Sequence, residues 1–496
     1  MKYVLTGSMA KAVDQYTIGE MGVPSMVLME RAALEIASKT AQIAADFGRA
    51  VRICAVCGCG NNGADGVAAA RILTWQGLKV DIIVAGDKEK ATDEFNLQLA
   101  TAVRSGLELR NISTVDEYDI IIDAVFGIGL SRAVSGDYAV AIDRINAGRN
   151  IVVSVDIPSG VNADTGCVMG TAVQADVTVT FGYNKQGLML YPGKALAGEV
   201  TVADIGFCPE AIRKLSPAMY FTTDDVYGIP VRDAMSNKGS YGRTLVIAGS
   251  ENMSGAAYLA ATAAYRCGAG LVEILTHETN CGVLRTLLPE AIVNGYNETT
   301  AVGTVEERAS AADVIIIGPG LSTNETAVEI VRETITVADC PLIIDADGLN
   351  IIAGNISLLK SCRSTVIITP HIGEMSRLCG LSREEILADA VEVAKAFAVE
   401  NNVICVLKNA STVVASYEPR IYINNSGCAA MSKGGMGDVL TGVIAGMLSC
   451  RLEPFSAASM GVYIHGLAGE AAAAESNMHT IVAGDLLEQF GRVMGK

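Results

Sequence analysis

Positive charge is what the sequence most conspicuously lacks: 37 Lys and Arg stand against 54 Asp and Glu, leaving a formal net charge of -17 over 496 residues. A field of that sign does not gather nucleic acid, so a phosphorylated ligand has to be small and held by local backbone and side-chain donors. Long apolar runs are missing too. No stretch reaches the ~18 residues of a membrane span, and Met1-Lys-Tyr-Val-Leu-Thr-Gly-Ser-Met-Ala-Lys11 lacks the apolar core of a secretory signal. A soluble, cytoplasmic protein with no nucleic-acid or membrane partner is expected. There are only four histidines, and the thirteen cysteines are scattered through apolar segments, which excludes a disulfide framework and favours reduced thiols. The one cluster, Cys54, Cys57 and Cys59, has no second Cys pair or nearby His to complete a zinc site; it is read as two core thiols and one loop thiol. Cys59 is marked as an oxidation-sensitive neighbour of the site that follows it. No internal repeat relates the two halves.

What is present is apolar and rich in glycine. Half of the residues are hydrophobic and 51 are glycine, which suits the close helix–sheet packing of an α/β fold. The length allows about two to four domains. Residues 8–47 read as helical: a first helix from Met9 to Met21 breaks at Gly22-Val-Pro24, and Ser25 is placed to cap a second with apolar positions Leu28, Ala32, Ile36 and Ile43. Strands are then expected at Val51–Val56, Lys79–Ala85, Asp119–Ala124, Ile151–Val155 and Val177–Phe181; a glycine-rich loop Cys57–Gly63 and a helix Asp65–Trp75 follow the first. The sequence loosens between 210 and 225. Strands resume at Thr244–Ala248, Leu271–Thr276, Val314–Ile317, Leu342–Ile344, Val366–Ile368 and Val403–Leu407, with a helix Ser254–Cys267 and a hairpin from Thr412–Ser416 and Arg420–Ile423. Such alternation implies parallel, doubly wound sheets with ligands beyond the carboxyl ends of the strands.

The polar clusters stand at those ends. In the first half they are Gly60-Asn-Asn-Gly-Ala-Asp-Gly66, Asp123-Ala-Val-Phe-Gly-Ile-Gly129 and Asp156-Ile-Pro-Ser-Gly-Val161. A single Asn or Asp there is usually a loop cap, whereas three such clusters with glycines on one sheet edge describe a site. In the second half Gly434, Gly435 and Gly437 lead into an apolar helix. Their exposed N–H groups and the helix dipole favour phosphate or developing negative charge. Asp438 follows in the first turn, and a carboxylate so near a phosphate pocket fits a general base or a metal-orienting group better than simple phosphate binding.

At this point nearly the whole chain resembles a known family. Asn61-Asn-Gly-Ala-Asp-Gly66 is similar to the hallmark loop of NAD(P)H-hydrate epimerase domains. Lys238-Gly-Ser-Tyr-Gly-Arg243, Gly268-Ala-Gly-Leu-Val272, Gly318-Pro-Gly-Leu321, Asp345-Ala-Asp-Gly-Leu-Asn350, Thr369-Pro-His-Ile-Gly-Glu-Met375 and Gly434-Gly-Met-Gly-Asp-Val-Leu-Thr-Gly442 resemble, in order, the ADP- or ATP-dependent NAD(P)H-hydrate dehydratases of the ribokinase-like superfamily. The resemblance implies an α/β protein of two domains: an N-terminal Rossmann-like doubly wound sheet over residues 1–215 and a C-terminal ribokinase-like domain over residues 222–496. It also implies repair of hydrated nicotinamide cofactor, in which one domain interconverts the R and S hydrates and the other dehydrates the S form. NADHX and NADPHX are the implied substrates, an adenine nucleotide with Mg²⁺ the phosphoryl donor, and a homo-oligomer the assembly. By that resemblance Asn61, Asn62, Gly63, Ala64 and Asp65, with Gly127, Ile128, Gly129, Leu130, Ser131, Arg132 and Ala133, cradle the hydrate's phosphates. Asp156 meets the nicotinamide end as a catalytic group, and Asn62, Asp123 and Ser159 hold K⁺. Ala256, Gly320 and His371 line the hydrate in the second domain. Lys408, Asn409, Ala410, Ser411 and Thr412 with Gly437 hold the nucleotide, and Asp438 is the catalytic base.

The chain departs from the family's pattern at several points. Asn409 replaces a glycine where backbone approaches closely, Lys433 adds a cation near the phosphate, and Ala64, Ile372 and Ala33 stand where the family has glycine, proline and glycine. Two rival readings stay open. One is a ribokinase-like small-molecule kinase, because the glycine-rich hole alone does not separate phosphorylation from phosphorylation followed by elimination; the other makes the N-terminal half a non-catalytic binding module.

Overall fold

The structure, a computed structural model, describes residues 2–221, 225, 229–230 and 232–495. The expected start of the second domain at 222 lies outside the described residues. The chain divides into two compact units, Tyr3–Ala218 and Met219–Lys496. Among the described residues no helix is long and apolar enough to cross a membrane.

In the first unit the strands are β1 (Lys2–Leu5), β2 (Arg52–Cys57), β3 (Lys79–Val84), β4 (Leu109–Arg110), β5 (Ile120–Ala124), β6 (Ile151–Val155), β7 (Val177–Phe181), β8 (Asn184–Lys185) and β9 (Glu199–Ala203). Seven of them form one sheet in the order β4-β3-β2-β5-β6-β7-β9, all parallel. The continuous burial of Ile120–Ala124 and Val177–Phe181 is what a parallel sheet covered on both faces demands. From β2 the chain winds outward to β3 and β4 on one side and returns to β5 on the other, so the order reverses between β2 and β5. That switch point is where doubly wound sheets open a crevice for ligands. The short β1 pairs in parallel with β8, Leu5 opposite Lys185.

Strands β1, β4, β8 and β9 are not among those expected from the sequence, and the helices depart from expectation at three places. The helix expected from Asp65 begins at Asn61, because extended Gly60 serves as its N-cap and the Asn-Asn-Gly segment forms the first turn. Ser25 is the first residue of its helix; Pro24, at φ -59° and ψ 138°, takes the cap position and sets the entry with its fixed ring. The helix expected over Met9–Met21 runs from Gly7 to Gln15 under a Thr6 cap, then widens through Tyr16–Glu20, where the Met21 N–H donates to the Tyr16 carbonyl at 3.2 Å. The Cys54–Cys57–Cys59 cluster is buried as free thiols.

In the second unit, β11 (Arg243–Ile247), β12 (Leu271–His277), β13 (Ile292–Tyr296), β14 (Val314–Ile317), β15 (Leu342–Ile344), β16 (Val366–Ile368) and β17 (Val403–Leu407) are parallel; β18 (Val413–Ala415) and β19 (Ile421–Ile423) follow as antiparallel hairpin strands, and β10 (Ala218–Tyr220) pairs with β19. Their order is β13-β12-β11-β14-β15-β16-β17-β18-β19-β10, with the switch point between β11 and β14. The helix Met436–Ser449 packs against the helix Ser254–Arg266 through glycine: a Cβ at Gly442 would stand 2.2 Å from the Ala260 carbonyl oxygen and one at Gly446 2.6 Å from the Cys267 Cβ. Gly442→Ala is therefore expected to cost about 2 kcal/mol by forcing those helices apart. The check is the denaturant midpoint of the second unit; an unchanged midpoint would mean that the helices relax freely.

Candidate active sites

The first unit carries a cavity of about 830 Å³ at its switch point. The helix Asn61–Trp75 points its N-terminus at it. Ala64 is the first residue of this helix whose N–H reaches a carbonyl, that of Gly60 at 3.0 Å, so the preceding amides are left as anion donors. The wall also includes exposed Lys11, Lys90 and Arg132. Deeper in stand Asp14, Asp65 and Asp156 with one buried cation, Lys185, 2% exposed. Asp156 follows β6 and holds φ at +64°, an uncommon conformation for a non-glycine residue. Its Oδ1 accepts from the Lys185 Nζ at 2.6 Å, the Thr180 hydroxyl at 3.0 Å and the Phe181 N–H at 3.3 Å. Burial raises the carboxyl of Asp65 well above the usual range, with the Asp156 and Asp14 charges adding; burial and then Asp156 raise Asp14 as well.

Beneath this cavity Asp123, fully buried, accepts from the Ser159 hydroxyl (2.6 Å), the Ser159 N–H (2.9 Å) and the Ser154 hydroxyl (2.8 Å). Burial raises its carboxyl, opposed by those hydrogen bonds. Its hydrogen-bond partners include no cation. The side chain of Asn62 leans over Gly127, whose Cβ position is 2.8 Å from the Asn62 Oδ1, and the buried Asn62 Nδ2 has no partner.

In the second unit three adjacent strand ends converge. Asp345 follows β15, the helix Ile372–Cys379 follows β16, and Lys408 follows β17. The Lys408 Nζ is 2.7 Å from Asp345 Oδ1 and 3.9 Å from Glu374 Oε2. Burial pulls its ammonium down, but Asp345, Glu374 and Asp438 outweigh burial and hold it above lysine's usual range. Gly437 lies directly over this pair; its Cβ position is 3.3 Å from the Lys408 Nζ and 3.5 Å from Asp345 Oδ2. Gly435 caps the Met436–Ser449 helix at φ +87°, a conformation glycine adopts without strain. The Val439 N–H is the first of the helix to turn back, onto the Gly435 carbonyl, leaving the amides of residues 436–438 free for an anion. Asp438 beside them is pushed up to about 6, mainly by burial and then by Asp345, with Lys408 opposing. Glu374 also rises to about 6 through burial.

His371 caps its own helix. Its Nδ1 accepts from the Gly373 N–H at 2.9 Å and the Glu374 N–H at 3.3 Å, while the Glu374 Oε2 accepts the His371 N–H at 2.8 Å. Burial, then Lys408 and Arg377, lower the imidazole below its ordinary range, which favours the neutral ring, and the two N–H groups that Nδ1 accepts from fit a proton on Nε2. A smaller cavity of about 210 Å³, walled by Ser250, Leu321 and Ser322, opens at the β11/β14 switch point next to Gly320; Asp438 and Lys408 are not on its wall.

Two family models match the chain: YjeF-related protein N-terminus over residues 25–187, and NAD(P)H-hydrate dehydratase over residues 244–491. The chain is 35% identical to a bifunctional NAD(P)H-hydrate repair enzyme from Moorella thermoacetica, covering 98% of this chain and 95% of that protein. The chain belongs to the bifunctional NAD(P)H-hydrate repair enzyme family. A second member, from Thermofilum pendens, is 35% identical over 98% of this chain and 94% of its own length. Among solved structures, the ADP/ATP-dependent NAD(P)H-hydrate dehydratase of Bacillus subtilis, co-crystallised with ATP/Mg²⁺, is 35% identical with a TM-score of 0.50; it covers 56% of this chain and 97% of that one. The fold is α/β, with a ribokinase-like arrangement in the second unit.

Of the residues singled out in the sequence, Asn61, Asn62, Asp65 and Gly127 to Arg132 share the large cavity's wall with Asp156. Gly63 and Ala64 are buried under the first helical turn and Ala133 is exposed off the wall. Asp123 and Ser159 are in direct contact, and Asn62 lies against Gly127, the neighbour of Phe126, whose N–H donates to the Ser159 hydroxyl at 2.8 Å. Ala256 and Gly320 touch, the Cβ position of Gly320 being 3.0 Å from the Ala256 Cβ. Lys408 and Gly437 meet; Asn409 and Ala410 are exposed, and Ser411 and Thr412 are buried in the turn toward β18. Lys433 is engaged elsewhere, donating to the His479 carbonyl at 2.5 Å and the Ile481 carbonyl at 2.6 Å, so its charge ties down a loop instead of standing free at the glycine turn. The sequence reading missed Lys185, Asp14 and Leu5 in the first site and the pairing of Asp345 and Glu374 with Lys408 in the second.

Proposed function

We propose that an N-terminal domain, residues 1–215, interconverts R- and S-NAD(P)HX and that a C-terminal domain, residues 222–496, dehydrates the S form with an adenine nucleotide. The observation that carries this is the pair of unlike sites, each with an anion-binding helix N-terminus beside an acid. In the first site the Asn61 and Asn62 amides and the rim cations hold the diphosphate, with Gly63 keeping the turn tight beneath them, and the Asp156 carboxylate exchanges a proton with the nicotinamide end. The buried, cation-free Asp123 with the Ser159 hydroxyl and the Asn62 amide is an all-oxygen donor set that fits a hard monovalent ion. Those residues would hold K⁺, which supplies fixed positive charge under the phosphates. In the second site a nucleotide with Mg²⁺ supplies the phosphoryl group that turns a poor hydroxyl leaving group into phosphate. Mg²⁺ would come with the nucleotide's own phosphates: among the described residues no three carboxylate, Cys or His side chains are grouped to hold a metal ion, and Asp345 is already paired with Lys408 at 2.7 Å. Asp438 takes the hydroxyl proton, the amides at 436–438 and Lys408 bear the charge of the transferring group, and His371 with Ala256 and Gly320 positions the hydrate. A cytoplasmic homo-oligomer accompanies this reading.

The test is absorbance at 340 nm on S-NADPH hydrate with ADP and ATP supplied separately, followed across pH. Recovery is expected only with nucleotide. Because Asp438 must be ionised to accept the proton and sits at about 6, kcat/KM should be flat above about pH 7 and fall about tenfold per unit below about pH 5. A phosphorylated product without NADPH would return the second unit to the kinase class.

A further inference from the structure

The contacts around Asp156 are one-sided. Its three hydrogen bonds all end on Oδ1, and among the described residues no donor meets Oδ2. Lys185 spends its ammonium on Asp156 Oδ1, the Thr180 hydroxyl at 2.8 Å and the Phe181 carbonyl at 3.0 Å, which uses all three of its N–H groups. Both ends of the pair are fixed by the sheet. Asp156 is held by its N–H to the Val179 carbonyl at 2.8 Å, and Lys185 by strand β8, paired with β1 through Leu5. A buried pair of this kind adds little net stability against apolar replacements of the same volume, so its retention on the wall of a cavity points to a task.

We infer that Lys185 is a positioning residue for epimerisation: it clamps Asp156 by Oδ1, so that Oδ2 is presented to the hydrate as the proton-exchanging atom. This rests on the assignment of epimerisation to the first unit. Lys185 reaches no substrate itself, since its three donors are taken. Its loss leaves Oδ1 with only the longer Thr180 and Phe181 hydrogen bonds and no cation, which loosens the carboxylate and affects the chemical step more than binding, because the phosphates are held by other groups.

The experiment uses the full chain, with R-NADPH hydrate as substrate and the second unit as the coupled reporter. Lys185→Ala is expected to lower kcat for epimerisation by about 100-fold with KM within about threefold. n-Propylammonium, which matches the lost Cγ–Cδ–Cε–ammonium segment and restores the donor, is expected to return at least about a tenth of the lost rate in a saturable way. A purely structural role would show no such rescue. Wild-type kcat in Lys185→Ala, or a loss that amines do not restore in a folded variant, would overturn the inference while Asp156→Ala still tests the underlying activity. If Lys185→Ala does not fold, Thr180→Val serves: it removes one Oδ1 donor and one Nζ acceptor, and a kcat lowered by about 3- to 10-fold at unchanged KM supports the clamp. An unaltered Thr180→Val overturns it. A wild type that leaves the R hydrate untouched overturns both the assignment and the clamp.

Discussion

Asp438→Asn is expected to lower nucleotide-dependent turnover of the S hydrate by about 1,000-fold while interconversion of R and S continues at the wild-type rate. The amide keeps the shape of the side chain but cannot take up the hydroxyl proton. It also removes a negative charge next to amides 436–438, so nucleotide should bind at least as well. The signature is a kcat loss without a KM loss, read at 340 nm on purified S hydrate. Loss of both activities in a folded variant would mean that the two sites are not independent.

Asp156→Ala has the mirror-image expectation: R hydrate is converted no faster than in buffer, and S-hydrate turnover stays within about twofold of wild type. This change also leaves Lys185 charged and unpaired in the interior, which costs the first unit about 3–5 kcal/mol. Asp156→Asn separates the two effects, since it keeps an acceptor for Lys185 while removing the proton-exchanging oxygen. Epimerisation should be lost in both variants, but the melting temperature of the first unit should fall clearly only in the alanine form. If Asp156→Asn sustains the wild-type rate, proton exchange at this carboxylate is not the chemistry.

Much of the architecture could be read from residue order because parallel strands buried on both faces are continuous apolar runs. Ile120–Ile122, Val314–Ile317 and Val366–Ile368 are such runs, β-branched and bounded by polar clusters that mark the ligand edge of each sheet. What could not be read is what chain-distant pairing decides. Lys185 looks like a turn lysine in Gly182-Tyr-Asn-Lys185; only the pairing of Leu5 with Lys185 and the return of β7 beside β6 bring it to Asp156. Its apolar surroundings, through Leu188-Met-Leu190, were the available signal, since a lysine in such a segment is seldom buried without a partner. Asp345 and Lys408 are 63 positions apart and meet because β15, β16 and β17 are neighbours. Lys433 reads as a cation near the phosphate; what its place in the sequence does not reveal is that its ammonium donates to the carbonyls of residues 479 and 481.

The most direct test of the two-site account is recovery of absorbance at 340 nm from an equilibrium mixture of R- and S-NADPH hydrate, with the preferred nucleotide, Mg²⁺ and K⁺. Complete recovery, including the R fraction, is the expected result. Recovery that halts when the S fraction is consumed would contradict it and leave the first unit a binding module.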